Sequence, residues 1–278
     1  MVLLACADLS ALSLPVLSKR RRVAALQRKN IMIRLLAMRE LRSLFAMPST
    51  WFVFAVLQFI LAWFFLARLE AFLEVQPQLA QLANPPGVTS IIAAPMFSTV
   101  ALLLMMLVPV FTMRLIAEER RNQTMALLLS APLRDRHIVL GKFFGLMVFL
   151  AVLLAGVPLM LYSLMLGTHI DQGLMLSNLL GLLLLAASYV ALGLYISALT
   201  TQPLIAAIST LAVLLGLWLI DIGALADNSP WHLLSPFHHF ENFNNGLLDS
   251  GDAAFFVLFT AAFLALAIKR LHNNRIYG

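Results

Sequence analysis

Charge is scarce in this chain. Asp, Glu, Lys and Arg make up 12% of its 278 residues, about half the share found in a soluble domain. Hydrophobic residues reach 62%, and the mean hydropathy is +0.92. A soluble globule of this length has too little interior to hide that much apolar surface, so a bilayer has to act as solvent for part of it. Cysteine is nearly absent. Cys6 stands alone, which excludes an intramolecular disulfide and a cysteine metal cluster. The phosphate-binding pattern G-x-x-x-x-G-K-[ST] is missing as well. Gly141-Lys142 is followed by Phe143, so nucleotide chemistry has to come from another chain. Ionisable residues are missing from the middle of every long apolar run, and no internal repeat is visible. Ion-coupled transporters ordinarily carry such groups inside the membrane. Their absence favours a protein powered from outside it.

What is abundant is apolar sequence in lengths that cross a bilayer as a helix. Six runs qualify: Trp51–Ala67, Ile91–Met113, Phe143–Leu166, Leu174–Leu199, Leu204–Ile220 and Ala253–Ile268. The last is short and is expected to continue through Leu271. Gln58, Asn178 and the serines are the main polar content. The flanks set a direction. Nine basic residues precede the first run, from Lys19 to Arg42. Six lie between the second and third, from Arg114 to Lys142, and Lys269, Arg270 and Arg275 follow the sixth. That puts 18 of the 19 basic residues on one side, with Arg68 on the other. Glu70, Glu74, Asp171, Asp221, Asp227, Glu241, Asp249 and Asp252 fall in the opposite loops. The positive-inside rule then predicts a multi-pass membrane protein with both termini in the cytoplasm. The net charge of +6 reports these flanks and not a nucleic-acid partner.

Residues 1–31 stand apart. Met1–Leu17 is mildly apolar, but its basic run follows it, the reverse of a signal peptide. Leu3-Leu4-Ala5-Cys6 matches a lipoprotein cleavage box on paper but lacks a charged start and a full apolar core. The reading is a cytoplasmic extension, with Met32 as the functional beginning of a domain over 32–278. Met32–Met47 follows as an amphipathic helix. Ile33, Ala37, Met38, Leu41, Leu44 and Phe45 share one arc, and Arg39, Glu40, Arg42 and Ser43 the other. Arg34 falls in the apolar arc, where it can snorkel to headgroups. Pro48 is expected to stop this helix, which lies in the membrane plane.

Between the second and third runs, Glu118-Glu119-Arg120-Arg121-Asn122-Gln123 covers every side of a helical turn and a half, so it belongs in water. An apolar patch follows at once: Met125, Leu127, Leu128 and Leu129. Pro132 breaks the helix, and Asp135 is placed to cap the next one. An exposed apolar knob flanked by charge is the form of a protein docking site.

These residues carry a resemblance. Arg39-Glu40-Leu41-Arg42-Ser43-Leu44-Phe45-Ala46-Met47-Pro48 resembles the amphipathic elbow "RELxSxFxxP" of type-2 ABC exporter permeases. Pro109-Val110-Phe111-Thr112-Met113-Arg114-Leu115-Ile116-Ala117-Glu118-Glu119-Arg120-Arg121 is similar to their "P-x-x-T-M-R-x-x-A-E-E-R". Thr124, Leu127-Leu128-Leu129, Pro132-Leu133 and Val139-Leu140-Gly141-Lys142-Phe143 continue the match, and Phe240-Glu241-Asn242-Phe243-Asn244-Asn245-Gly246-Leu247-Leu248-Asp249 is similar to the stretch before their last span. The nearest branch is the gliding-motility permeases, followed by the accessory permeases of nitrous-oxide reductase. Asn122-Gln123 stands where the family usually has Gly before the Thr, and Ala126 replaces a Glu.

The resemblance implies an all-α membrane protein: six transmembrane helices, an N-terminal interfacial elbow helix and a cytoplasmic coupling helix. It implies a permease subunit that is not itself an enzyme. Two such subunits, identical or different, pair around a central path, and each docks a cytoplasmic ABC ATPase that binds the ATP and Mg. This chain then holds no cofactor. Carried over to these positions, the ATPase-docking residues are Arg39, Glu40 and Arg42 in the elbow, with Glu118, Glu119, Arg120, Arg121, Thr124, Leu127 and Leu128 in the coupling segment. An auxiliary membrane subunit with a periplasmic domain accompanies the gliding-type members. The alternatives are a non-transporting anchor that recruits a cytoplasmic enzyme, an ion-coupled transporter and an intramembrane protease. The protease pattern E-E-x-x-x-R fails at Gln123.

On the opposite side His232, His238 and His239 gather with Asp227 and Glu241. Their spacing fits no metal motif, so no metal site is assigned. Asn228–Ser250 reads as short external helices whose aromatics face lipid or a second copy. Pro109 and Pro158 should kink the second and third helices. Gly141 and Gly145 are spaced for close approach of another helix.

Overall fold

The computed structural model describes residues 32–79, 87, 89–123, 135–163, 171–227 and 233–277. Every regular element among them is helical. Helix α1 covers 32–46. After Met47, α2 (Pro48–Leu79) forms the first span. The second is α3 (Ala94–Met113), entered through a π-turn at Thr89–Ala93 and left through another at Arg114–Glu118. The third is divided into α4 (Asp135–Leu154) and α5 (Gly156–Tyr162). Next come α6 (Gln172–Leu199), α7 (Pro203–Asp227), the short α8 (Pro236–Asn244) and α9 (Ser250–Tyr277). Six helices are long and apolar enough to cross a membrane, and each contains one of the six apolar runs or most of it. They overrun those runs because a helix that has paired its backbone in lipid continues until a polar turn offers other partners. The third starts at Asp135, where the start of its helix was expected, and runs through Lys142 into the apolar run from Phe143; the expected end at Leu166 lies outside the described residues.

Pro48 does not simply stop α1. It opens α2, where its missing N–H costs nothing because the first turn has no intrahelical acceptor for it. The indole of Trp51 donates to the Phe45 carbonyl across the break at 2.8 Å. In the third span the helix breaks at Ala155, three residues before Pro158, whose ring clashes with the carbonyl four residues back. Gln58 of α2 donates to the Leu153 carbonyl at the break, at 2.9 Å.

Helix α6 is the centre of the bundle, packed against α3, α4, α7, α8 and α9. Small residues bring the others close. At Gly181 an added Cβ would lie 2.5 Å from Phe243 Cβ, which seats α8 on α6. The aromatics of α8 therefore face the protein and not lipid or a second copy: Phe237, Phe240 and Phe243 are buried. Ser177 donates to the Phe243 carbonyl, and Asn244 to Ala94 O and Ser98 Oγ. Trp231 and His232 lie outside the described residues.

Candidate functional site

The basic end of the bundle brings together the two segments singled out in sequence. Helix α1 lies across α4. A Cβ on Gly141 would come within 2.6 Å of Leu36 Cβ, and one on Gly145 within 2.9 Å of Glu40 Cβ and 3.0 Å of the Ala37 carbonyl oxygen. The two glycines, one turn apart, form the shelf on which α1 rests. Between them stands Lys142, only 5% exposed. Its ammonium is 2.8 Å from Glu119 Oε1 and 3.4 Å from Glu40 Oε2. A cation taken out of water is tolerated when carboxylates compensate it, and here the two come from different elements. Leu36, Arg39 and Ile138 complete the lining of the cleft around them. One buried lysine thus ties α1, α4 and the end of the second span into a single joint.

The second span reaches that joint through an irregular turn. Arg114–Glu118 is a π-turn, a geometry that upsets the regular ladder and clusters at functional sites. Ser197 of α6 repairs it. Its Oγ accepts from the backbone N–H of Ala117 at 3.0 Å and of Ile116 at 3.3 Å, and the hydroxyl lies 3.4 Å from the Met113 carbonyl it donates to. One turn earlier, Thr112 lies against Gly193 so closely that a Cβ there would overlap its side chain. Arg114 reaches Met47 Sδ at 3.1 Å, at the hinge between α1 and α2. The chain then leaves the helix at Asn122-Gln123, and Gln123 has φ +59°. That left-handed conformation suits glycine, which is why a Gly at this position fits the pattern and a Gln carries strain.

The docking residues named from sequence divide into two sets. Arg39, Arg42 and Arg121 are exposed. Glu40 and Glu119 turn inward to Lys142, although Glu40 was assigned to the polar arc of its helix. Glu118 and Arg120 are half-buried, and Arg120 Nη2 is buried without a hydrogen-bond partner among the described residues. Thr124, Leu127 and Leu128 lie outside the described residues. Lys142 and Ser197 were missed. Lys142 stood as a basic flank residue and as part of the Gly141-Lys142-Phe143 match, with no partner assigned to it, and Ser197 as one serine among several. The contacts that distinguish them come from residues 23 to 102 positions away in sequence.

At the acidic end His239 is held on both ring nitrogens, by Asp252 Oδ1 at 2.5 Å and the Leu233 carbonyl at 2.9 Å. Asn242 donates to the other oxygen of Asp252. Asp221, placed in a loop by the run boundaries, lies on α7 and is buried, 3.6 Å from His238. Burial, and behind it the charge of Asp221, raises the Glu241 carboxyl above its ordinary value. Among the described residues no group of three or more His, Cys, Asp or Glu side chains is arranged to hold a metal ion. These contacts fasten α8 to α7 and α9, and among the described residues they assemble no nucleophile with a base.

The sequence profile of the ABC-2 family transporter proteins matches residues 34–275. No curated protein matches the chain.

Proposed function

This chain belongs to the ABC-2 transporter family, and on that premise we propose that it is the membrane-spanning permease subunit of an ATP-binding cassette transporter. It moves a substrate, or transmits force, with ATP hydrolysed by a separate cytoplasmic ATPase that binds the nucleotide and Mg. A second permease subunit completes the path. The basic end faces the cytoplasm of a bacterial inner membrane, and the resemblance of its motifs supports the gliding-motility branch, whose members have an auxiliary subunit with a periplasmic domain.

The observation that supports this reading is the joint at Lys142. A permease without its own ATPase has to receive motion through a small contact. The elbow carries exposed Arg39 and Arg42 and the segment that leads into the coupling loop carries exposed Arg121, and Lys142 binds both elements to the third span. A push on either element is carried into the bundle instead of being lost in a loose loop. Arg39, Arg42 and Arg121 remain outward for a partner's acidic side chains, which set orientation and on-rate more than affinity. Leu127 and Leu128, beyond the turn at Gln123, supply apolar anchors of about 1.5–3 kcal/mol each when buried in a partner cleft.

The test is co-purification. Leu128→Asp should abolish recovery of the ATPase with the permease and leave membrane insertion intact. Recovery at wild-type yield would place the docking site elsewhere.

A further inference from the structure

Four charged residues in a row, Glu118-Glu119-Arg120-Arg121, end the second span, and Arg114–Glu118 directly before the last three is the π-turn. A π-turn holds one residue more than a regular helical turn. Relaxed to an α-turn, it advances everything beyond it by one residue, a rotation of about 100° and a rise of about 1.5 Å. Each side chain then takes the place of the residue after it. Glu118 takes the place of Glu119, Glu119 that of Arg120, and Arg120 that of Arg121.

In the register observed, Glu119 faces Lys142 at 2.8 Å, and Arg120 is the misfit. It is half-buried, and its Nη2 is buried with no hydrogen-bond partner among the described residues. The charge that acts on it is the like charge of Arg270, on α9. Glu118 is half-buried too and joins no ion pair among the described residues. The α register changes all three. Lys142 keeps a glutamate, now Glu118. Arg270 meets Glu119 in place of Arg120. Arg120 moves to the exposed place of Arg121.

What holds the observed register is Ser197. Its hydroxyl accepts from the N–H groups of Ile116 and Ala117 and donates to the Met113 carbonyl. An α-turn would return those N–H groups to carbonyls four residues back and leave the hydroxyl without them. One register is thus held by a single hydroxyl on α6 and the other by opposite charges, and neither outweighs the other by more than a few hydrogen bonds. One turn earlier Thr112 is pressed against Gly193, which fixes the span above the turn. The rotation therefore passes toward the coupling loop and not into the bundle.

We infer that the π-turn at Arg114–Glu118 is a two-position register switch, with Glu118 as the second partner of Lys142. The switch turns the coupling segment while the joint stays closed, because a glutamate faces the lysine in both positions. What it drives rests on the permease reading above: motion of the coupling segment against the docked ATPase.

Cross-linking reads the register. In a Cys6→Ser background one protein carries Arg120→Cys with Arg270→Cys, and another Glu119→Cys with Arg270→Cys. Each is treated with a short bifunctional thiol reagent in liposomes with the ATPase. Without nucleotide the Arg120/Arg270 pair should cross-link and the Glu119/Arg270 pair should not; vanadate arrest should reverse the preference. Adding Ser197→Ala should bring on Glu119/Arg270 cross-linking without nucleotide, in the chain alone. The same pair reacting under every condition, Ser197→Ala included, overturns the inference. Charge supplies a second readout. A fixed turn makes Glu118→Gln neutral, since Glu118 pairs with no cation there. The switch predicts that Glu118→Gln lowers the stimulated ATP turnover about tenfold, the worth of one charge-assisted hydrogen bond, with the ATPase still co-purifying. Glu118→Asp should restore most of it. Wild-type turnover in Glu118→Gln overturns the inference as well. Failure of the permease reading looks different: the ATPase does not assemble with the wild-type chain or does not respond to it, while the Ser197→Ala shift in cross-linking, which needs no ATPase, still occurs.

Discussion

Replacing Lys142 with Met keeps the length and apolar stem of the side chain and removes its charge. Two carboxylates then face each other across the cleft, on α1 and at the end of the second span, with the compensating ammonium gone. Removing one partner of a fully buried ion pair costs about 3–5 kcal/mol. Glu40 and Glu119 keep side-chain exposures of 21% and 22%, so water screens part of the loss and the expected cost falls to about 2 kcal/mol. At about 1.4 kcal/mol per tenfold, that raises the open population of the elbow by about 30-fold. Amide hydrogen exchange in purified protein reads this directly. Residues 33–46 should exchange faster by about that factor, while α6 is unaffected. Combining Lys142→Met with Glu40→Gln removes one of the facing charges and should recover part of the protection. Unchanged exchange over residues 33–46 in Lys142→Met would refute the joint as a mechanical tie.

Two further outcomes follow from the packing. Gly145→Ala places a methyl 3.0 Å from the Ala37 carbonyl oxygen and should destabilise by about 1–3 kcal/mol; Gly216→Ala, where nothing lies within 4 Å, should be neutral or stabilising, and thermal unfolding in detergent compares the two. Glu241 has a carboxyl raised by burial and by Asp221, so its contribution to stability is present below the ordinary carboxylate range and is lost as pH rises through the raised value. Glu241→Gln should therefore flatten the fall in thermal stability across that window, and an unchanged pH profile would contradict the assignment.

Much of the fold was legible because lipid imposes simple rules. An apolar run of sufficient length has to be a helix. Boundaries were less legible. Asp221 lies on a helix beyond its apolar run, since backbone pairing, and not side-chain polarity, decides where a helix ends. Faces were less legible still. Glu40 sits on the polar arc by periodicity, but the glycines of α4 bring Lys142 within reach and turn it inward. The π-turn at Arg114–Glu118 has no composition of its own. It depends on Ser197, 80 residues from Ala117. The aromatics of α8 looked suited to lipid, and the absent side chain at Gly181 decides otherwise.

The central claim is that this chain converts ATP hydrolysed elsewhere into work across the membrane. The most direct measurement is ATP turnover in liposomes by three samples: the chain alone, its ATPase alone and the two together. The account predicts no hydrolysis by the chain alone and a turnover by the pair well above that of the ATPase alone, with the increase lost in Leu128→Asp. Turnover by the pair equal to that of the ATPase alone would contradict it, as would hydrolysis by the chain itself.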